Sequence, residues 1–471
     1  MGGYLPATTR MLCWLSKIIK IDLKYYLDEK KMVEFSTIFK SLKKLQKLKK
    51  IDISTVKLIN NEISAISKFL LNWDKIKNYR NSNHIGLLAG LPGVIIALFE
   101  NNKINRTDIH NEVLNEYILK TFKIIENSEY ISPTYCDGLA GYGVFLLKLK
   151  TNKLINKDDI ELNSQIDEIL NEIDEVLEEQ LKIFHEKDNL DILHGLLGFG
   201  LYFIERKNQS GVNDIVKILE NKKCKTKEGY VYWKKYDSYD AFATILDMGN
   251  AHGMGANIFF LTKLLSKREI LTEDSRIIVT NLIDDSIKFY LNNTQNISKK
   301  IHSYYPLKIK ASDFEQNNLT PENSRLGWCY GDLAVLYTLL MASIQIEKKS
   351  YEKIILEKLV FVAGRKYEKE KYTIDAGFCH GTCGIAILFL NIYDISKNEV
   401  FWESANYWLK ETLNKKDNNQ LNGYVDYGFV IENSSEKNIS ILEGLTGVLT
   451  CYLKFLHSDT PISEELLMIK Y

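Results

Sequence analysis

Seven times along this chain a glycine, two further residues and a glycine or alanine open an apolar run. The runs are GLPGVIIALF from Gly90, GLAGYGVFLLKL from Gly138, GLLGFGLYFI from Gly195, GMGANIFFLTKLL from Gly253, GDLAVLYTLLMA from Gly331, GTCGIAILFLNIY from Gly381 and GLTGVLTCYLKF from Gly444. The first glycines lie 48, 57, 58, 78, 50 and 63 residues apart, the scale of a two-helix repeat. Each run is hydrophobic on nearly every side, which suits a helix buried all round. Between the runs lie amphipathic stretches such as TDIHNEVLNEYILKTFKII, IELNSQIDEILNEIDEVLEEQLKIF, DSRIIVTNLIDDSIKFYL and KSYEKIILEKLVFVAGRKY, and TVKLINNEISAISKFLLNW precedes the first turn. Their apolar residues recur at helical spacing with charges opposite. A closed inner layer of apolar helices shielded by an outer amphipathic layer satisfies both kinds. The expected fold is all-α, an α/α toroid of seven inner and seven outer helices.

In such a ring, equivalent positions converge at one end. The two residues before each first glycine are Leu88-Ala89, Cys136-Asp137, Leu193-His194, Ala251-His252, Cys329-Tyr330, Cys379-His380 and Leu442-Glu443. The fifth and sixth repeats thus place Cys329 and Cys379 in the same slot, with His380 beside them. Adjacent Cys and His cannot share a helix face, since successive residues are turned about 100° apart, so the pair sits on a turn. Two thiols and an imidazole suit Zn²⁺, and three protein ligands leave a fourth position open for chemistry. Cys136 occupies the same slot and is a rival ligand, but it lacks a neighbouring His and reads as structural. Cys383 lies where other repeats carry small or apolar residues and reads as packing. His194 is either a hydrogen-bonded structural residue or a substrate contact.

Composition narrows the class. The 61 basic and 61 acidic residues balance, so no global field attracts nucleic acid. The one lysine-rich segment, KSLKKLQKLKK at 40–50, reads as a solvated or partner-docking helix face rather than a membrane-surface helix. No apolar stretch reaches transmembrane length, and MLCWLSKII at the N-terminus is too short and broken for a secretory signal. Seven cysteines without framework spacing fit a reducing cytoplasm. The polar stretch 292–324 reads as a long rim loop, and 223–246 and 415–440 as strand-like or irregular. Residues 1–54 form an N-terminal helical extension, and 55–471 the toroid.

The motifs AHGMG at 251–255, RLGWCYGD at 325–332, CHGTCG at 379–384, DILHGLLG at 191–198 and EGLTG at 443–447 resemble those of the lanthionine synthetase C-like family, and within it the bacterial cyclases of nisin-type lanthipeptide biosynthesis. The resemblance spans roughly 55–456, and WCYG with CHGT at this separation is its specific part. It implies a zinc-centred α/α toroid that adds peptide cysteine thiols to dehydrated Ser or Thr, closing thioether rings. Carried over, it implies Cys329, Cys379 and His380 as zinc ligands and His252, Asp191 and Arg325 as acid, base or charge-stabilising residues, with Tyr330 beside them. A further histidine that nisin-type relatives carry upstream of the AHG motif has no counterpart, since no His occurs between 195 and 251. Bacterial members can also bear a small accessory insertion, which the sequence does not place.

The residue types suit that chemistry. A free cysteine thiol has a pKa of about 8.5, and binding to zinc deprotonates it. Addition to the β-carbon of a dehydro residue builds an enolate that needs a cation or donor and then a proton at Cα. Arg325 can supply charge but not a proton, and His252 titrates near neutrality. The implied partners are a dehydrated precursor peptide with its leader, a dehydratase and an export transporter, in a complex at the inner face of the membrane. The competing reading is a family member that binds glutathione or other thiols without closing rings. A toroid glycosidase or prenyl-lipid enzyme would need paired carboxylates or an Asp-rich motif where this chain has thiols.

Overall fold

The computed structural model describes residues 50–470 apart from 80, 106–110, 157, 187–188, 238–239, 369–372, 374, 417–422, 425–437 and 458–460. The N-terminal extension up to residue 49, nearly all of the lysine-rich segment and most of 415–440 lie outside the described residues. The chain divides into two compact units, Met1–Leu58 and Ile59–Tyr471. In the first, Asp52 accepts hydrogen bonds from Thr55 N and Oγ1, both at 2.8 Å, the capping pattern that opens a helix.

Among the described residues, fourteen helices of eleven residues or more alternate in kind. The amphipathic ones are α1 (Ile53–Leu70), α3 (Asn111–Glu126), α5 (Ile160–Glu186), α7 (Gln209–Lys222), α9 (Glu273–Asn292), α11 (Lys349–Ala363) and α13 (Glu399–Asn414). The apolar ones are α2 (Leu91–Asn105), α4 (Leu139–Thr151), α6 (Leu196–Arg206), α8 (Met254–Ser266), α10 (Asp332–Gln345), α12 (Thr382–Ser396) and α14 (Leu445–His457). Each apolar helix packs on the next, and α14 returns onto α2 to close the ring. Twelve of the thirteen residues of α8 are buried, so it has no face to give to water. In α9 the buried residues Val279, Leu282, Ile283, Ser286 and Ile287 form one stripe. Each large side chain buried this way contributes about 1.5–3 kcal/mol. The expected inner and outer layers are present.

The glycine turns join end to end. Hydrogen bonds run from Leu88 N to Cys136 O (3.0 Å), Cys136 N to Leu193 O (3.0 Å), Ala251 N to Cys329 O (3.0 Å), Cys329 N to Cys379 O (3.2 Å), Cys379 N to Leu442 O (2.9 Å) and Leu442 N to Leu88 O (3.3 Å). Six of the seven junctions are closed in this way. At the seventh, between the third and fourth turns, Leu193 N bonds to the Asp191 carboxylate instead, at 2.8 Å. The first glycine of every turn lies against the residue six positions before it. A Cβ on Gly138 would strike the Ser132 carbonyl, and one on Gly331 (φ 100°) the Arg325 carbonyl.

An insertion follows α7. A hairpin of β1 (Cys224–Lys225) and β2 (Val231–Tyr232) leads into an antiparallel sheet of β3 (Lys235–Asp237), β4 (Asp240–Asp247) and β5 (Lys308–Lys310), in that order. The strand-like reading of 223–246 therefore holds. The 292–324 stretch is more than a loop, since it supplies β5 and a short helix, Ala311–Glu315. Three residues of polar KIK carry no alternation from which a strand could be read.

A short helix, Pro461–Leu466, follows α14, and residues 461–469 meet side chains of five inner helices. Glu100 of α2 accepts from Ile462 N at 2.8 Å. Tyr337 of α10 donates to Ile469 O at 2.6 Å, and Lys454 of α14 pairs with Glu464 at 2.6 Å. Glu465 bridges Lys148 of α4 (2.8 Å) and Lys263 of α8 (2.9 Å), and Glu205 of α6 meets the same two lysines.

Candidate metal centre and active site

The pre-glycine slots differ in depth. The residue two before the glycine is buried in all seven turns, whereas six of the seven residues just before it are partly or fully exposed, His380 being the buried one. Thiols at 329 and 379 therefore sit beneath the rim, while Asp137, His194, His252, Tyr330 and Glu443 reach toward solvent.

Cys379, His380 and Glu443 offer ligand atoms that all lie within 4.8 Å of one another. His380 Nδ1 faces the buried Asp375 carboxylate at 3.2 Å, and Nε2 faces Glu443 Oε1 at 3.5 Å. Burial opposes a charge on this imidazole, but the two carboxylates prevail and raise its pKa to about 10. Cys329 joins through a hydrogen bond with the Cys379 thiol, and Arg325 Nη2 donates to its sulfur at 3.1 Å. The Cys379 hydrogen bond, against burial and with help from the positive charges of Arg325, His380 and His252, brings the Cys329 thiol down to about 5. The same bond and burial push Cys379 well up. The sulfurs and imidazole thus share one pocket as expected. The three whose ligand atoms all lie within 4.8 Å of one another, however, include Glu443 rather than Cys329.

Two soft sulfurs, an imidazole turned by a carboxylate and one further carboxylate form a donor set that fits a divalent metal. Cys136 lies outside it. Cys383 is buried between Cys451 and Thr412, as packing requires.

His252 and Asp191 meet at the open junction of the ring, His252 Nδ1 lying 2.6 Å from Asp191 Oδ2. Burial lowers the imidazole's affinity for a proton, but the Asp191 bond and charge outweigh it and the pKa is raised. Asp191 is pushed up by burial and pulled further down by His252. His194 stacks on His252 at 6.0 Å and lies 3.6 Å from Asp137. Tyr330 donates to Asp247 at 3.0 Å, and burial with that carboxylate raises its pKa, so it stays protonated. Its ring lies 5.9 Å from that of His252 and 5.9 Å from the Arg325 guanidinium. Tyr330 and Arg325 thus connect the histidine pair to the sulfurs. A cavity of about 290 Å³ opens beside His252, lined by Asp191, His194, Trp233, Lys235 and Asp247 among others.

Residue types alone did not single out Asp375, Lys235 or Asp247. Lys235 bonds the His252 carbonyl (2.8 Å) and Asp247 (2.7 Å). A signal for two of the three was present six residues before each first glycine, where the chain carries His84, Ser132, Asn189, Asp247, Arg325, Asp375 and Asn438. Side chains of Asn189, Asp247, Asp375 and Asn438 accept from the backbone N two residues on, at 3.1, 2.9, 2.7 and 2.9 Å, the Asx-turn. Asp332, another carboxylate beside the turns, is buried against Arg365 at 2.9 Å and serves the fold.

The sequence from 38 to 468 matches the family described as Lanthionine synthetase C-like protein. The chain is 22% identical over 424 residues to nisin biosynthesis protein NisC of Lactococcus lactis subsp. lactis, covering 83% of this chain and 91% of that protein. The solved structure of nisin cyclase superposes with a TM-score of 0.65 at 17% identity, over 86% of this chain and 96% of its own, which shows the same fold. With the match running through all seven turns and the sulfur–imidazole cluster, this chain belongs to the lanthionine synthetase C-like family.

Proposed function

We propose that the protein is a lanthipeptide cyclase, adding cysteine thiols of a dehydrated precursor peptide to dehydroalanine or dehydrobutyrine. The observation that carries this reading is the placement of a sulfur–imidazole donor set and an Asp-held histidine at one end of the ring, linked by Tyr330 and Arg325. Family membership and the likeness to NisC support it. Zinc is the ion that two thiolates and an imidazole suit, and held by Cys329, Cys379 and His380 it would keep the substrate thiol deprotonated.

The protein's own groups supply the rest. Arg325 acts through Cys329, holding that sulfur as thiolate with a charge that never leaves. Asp191 fixes the His252 ring through Nδ1, which leaves Nε2 to carry a proton to Cα of the new thioether. Tyr330, kept protonated, gives its one O–H proton to Asp247 and would donate to the developing enolate only by exchanging that bond. Asp375 orients His380. A peptide is the substrate, and a dehydratase must act before this enzyme because its electrophile is a dehydrated residue. A transporter and attachment at the membrane remain part of the proposal; among the described residues no helix is long and apolar enough to cross a bilayer.

The test is incubation of the purified protein with a dehydrated precursor peptide. Ring closure removes thiol-alkylation sites at unchanged peptide mass. Persistence of every alkylation site with the metal-loaded protein would refute cyclisation and favour thiol binding alone.

A further inference from the structure

The fourth turn, which carries His252, is bonded through its backbone on one side only. Toward the fifth turn, Asn250 N and Ala251 N donate to Cys329 O at 2.8 and 3.0 Å, and the Tyr330 ring packs on Gly249, where a Cβ would come within 2.5 Å of it. Toward the third turn, Leu193 N has gone to Asp191 instead. The insertion supplies a link there. Strand β3 sets Lys235 opposite Ile245 of β4, and β4 runs on into Asp247, whose Oδ1 accepts from Gly249 N at 2.9 Å to shape the turn. The Lys235 ammonium donates to His252 O at 2.8 Å and lies 2.7 Å from Asp247 Oδ2. It lines the cavity of about 290 Å³ together with Asn189, Asp191 and His194 of the third turn. The same Asp247 oxygen accepts from Tyr330 at 3.0 Å. One ammonium thus reaches both the backbone of His252 and the partner of the Tyr330 hydroxyl. With the Asp247 side chain 5% exposed, this is no solvated surface pair of little consequence.

We propose that Lys235 is a positioning residue for the reaction: its ammonium, carried in by the insertion, secures the fourth turn at the junction without a backbone bond and, through His252 O and Asp247, sets His252 and Tyr330 in place. This rests on the cyclase reading for what those two residues do. Lys235 acts at two points. At the first, it holds the backbone from which the His252 ring reaches Asp191 across the junction, at 2.6 Å. A turn released there can slide away from Asp191, and a misplacement of about 1 Å is enough to cost about 10²-fold in rate. At the second, it meets the charge of Asp247. Tyr330 has one proton to give and must leave Asp247 to give it to an enolate. A carboxylate already neutralised by an ammonium grips a phenol less than a bare one does, so Lys235 lowers the cost of that exchange. The sheet is thereby tied to the chemistry of the rim rather than merely resting on it. A second ion pair of the same sheet, Lys308 with Asp237 at 2.6 Å, joins β5 to β3 and provides the contrast.

The experiment uses the full-length, metal-loaded protein and a dehydrated precursor peptide, comparing Lys235→Ala, Lys235→Met and Lys308→Ala with wild type. Lys235→Ala should lower kcat by about 10–100-fold with KM and metal content unchanged. Propylammonium, entering the space the side chain vacates, should restore much of the loss at constant ionic strength, whereas tetramethylammonium, which has the charge but no N–H, should not. Lys308→Ala should keep wild-type kcat. An unchanged kcat in Lys235→Ala, a change confined to KM, an equal loss in Lys308→Ala, or a loss that propylammonium does not relieve overturns the proposal. Lys235→Met fills similar space without the charge and carries the kcat comparison if the alanine variant does not fold. A second readout is independent of cyclisation. In ¹⁵N-histidine-labelled protein, the Nδ1 proton that His252 shares with Asp191, identified by its loss in His252→Asn, should exchange with water faster in Lys235→Ala and slow again with propylammonium. If the wild type leaves every peptide thiol unreacted, the cyclase reading fails and this exchange rate alone decides whether Lys235 positions His252; a cyclising protein indifferent to position 235 overturns this inference alone.

Discussion

Substituting Glu465 by alanine tests whether the C-terminal helix is a structural hub of the ring. Glu465 and Glu205 together neutralise Lys148 and Lys263, whose side chains are 8% and 4% exposed. Removing one carboxylate leaves two buried ammonium groups sharing the other, and breaking a buried ionic network this way costs about 3–5 kcal/mol. The Glu465 carboxyl is pushed up by burial, but the two lysines bring it from 4.5 to about 2. That difference corresponds to about 3 kcal/mol, so the two routes agree. Because the folded value is depressed, this stability is fully present above pH 4.5 and is lost as pH falls toward 2. With an unfolding entropy of about 2.1 cal/mol/K per residue, a unit of some 400 residues loses about 1 °C per kcal/mol. Differential scanning calorimetry at pH 7 should therefore show Glu465→Ala melting about 3–6 °C below wild type. The gap should narrow as pH is lowered from 4.5 toward 2. Asp214→Ala, which removes a surface partner of Lys217 (72% and 48% exposed side chains), should shift the melt by less than about 1 °C. A Glu465→Ala shift no larger than this control, or a gap indifferent to pH, would refute the hub.

The other predictions concern the rim. Asp191→Asn and His252→Asn should each lower cyclisation kcat by about 10²–10⁴-fold while metal content, measured by mass spectrometry of the protein digest, stays at wild-type level. Asp375→Asn should instead weaken metal binding by about 10–100-fold in chelator competition, because it releases the far nitrogen of His380. Gly331→Ala should destabilise more than Gly229→Ala in urea titration: both glycines have positive φ (100° and 87°), but only at 331 would the new methyl meet a carbonyl. The excess should be more than about 1 kcal/mol.

The ring was legible because its determinants are local. A first glycine is required wherever the carbonyl six residues back occupies the Cβ position, and the apolar runs have no polar face to misread. The sulfur–imidazole cluster followed from one slot shared by neighbouring repeats, with His380 beside it; Cys136, in the same slot three repeats away, lies outside the cluster. Which carboxylate serves the chemistry was not legible: Asp137, Asp191, Asp332 and Glu443 all flank first glycines, and only the packing separates them. Asp332 is spent on Arg365 and on Tyr304 N and Tyr305 N, whereas Asp191 meets His252. The role of 461–469 was hidden for another reason. Its partners lie on five different helices, and short-range periodicity carries no trace of contacts made over hundreds of residues. Strand β5 escaped because its pairing with β4 crosses α8 and α9.

A ring of seven like turns is stable because each repeat makes the same bonds, but seven like turns can do no chemistry. Function needs departures, and each has a cost. The junction between the third and fourth turns forgoes the backbone bond its six counterparts make, worth about 1 kcal/mol, and hands Leu193 N to a carboxylate. The fifth turn forgoes the Asx-type bond, since Arg325 stands in the slot elsewhere held by Asn189, Asp247, Asp375 or Asn438, and its guanidinium goes to a thiol. Turns five and six replace a buried leucine or alanine with Cys329 and Cys379, as turn two does with Cys136. Turns one and two depart as well, at His84, Ser132 and Cys136, but the departures in repeats three to six are the ones whose side chains meet at the site. A repeat protein thus marks its working region by where it abandons its own rule. The departures at 191, 325, 329 and 379 are therefore better guides to chemistry than the glycines that every repeat shares.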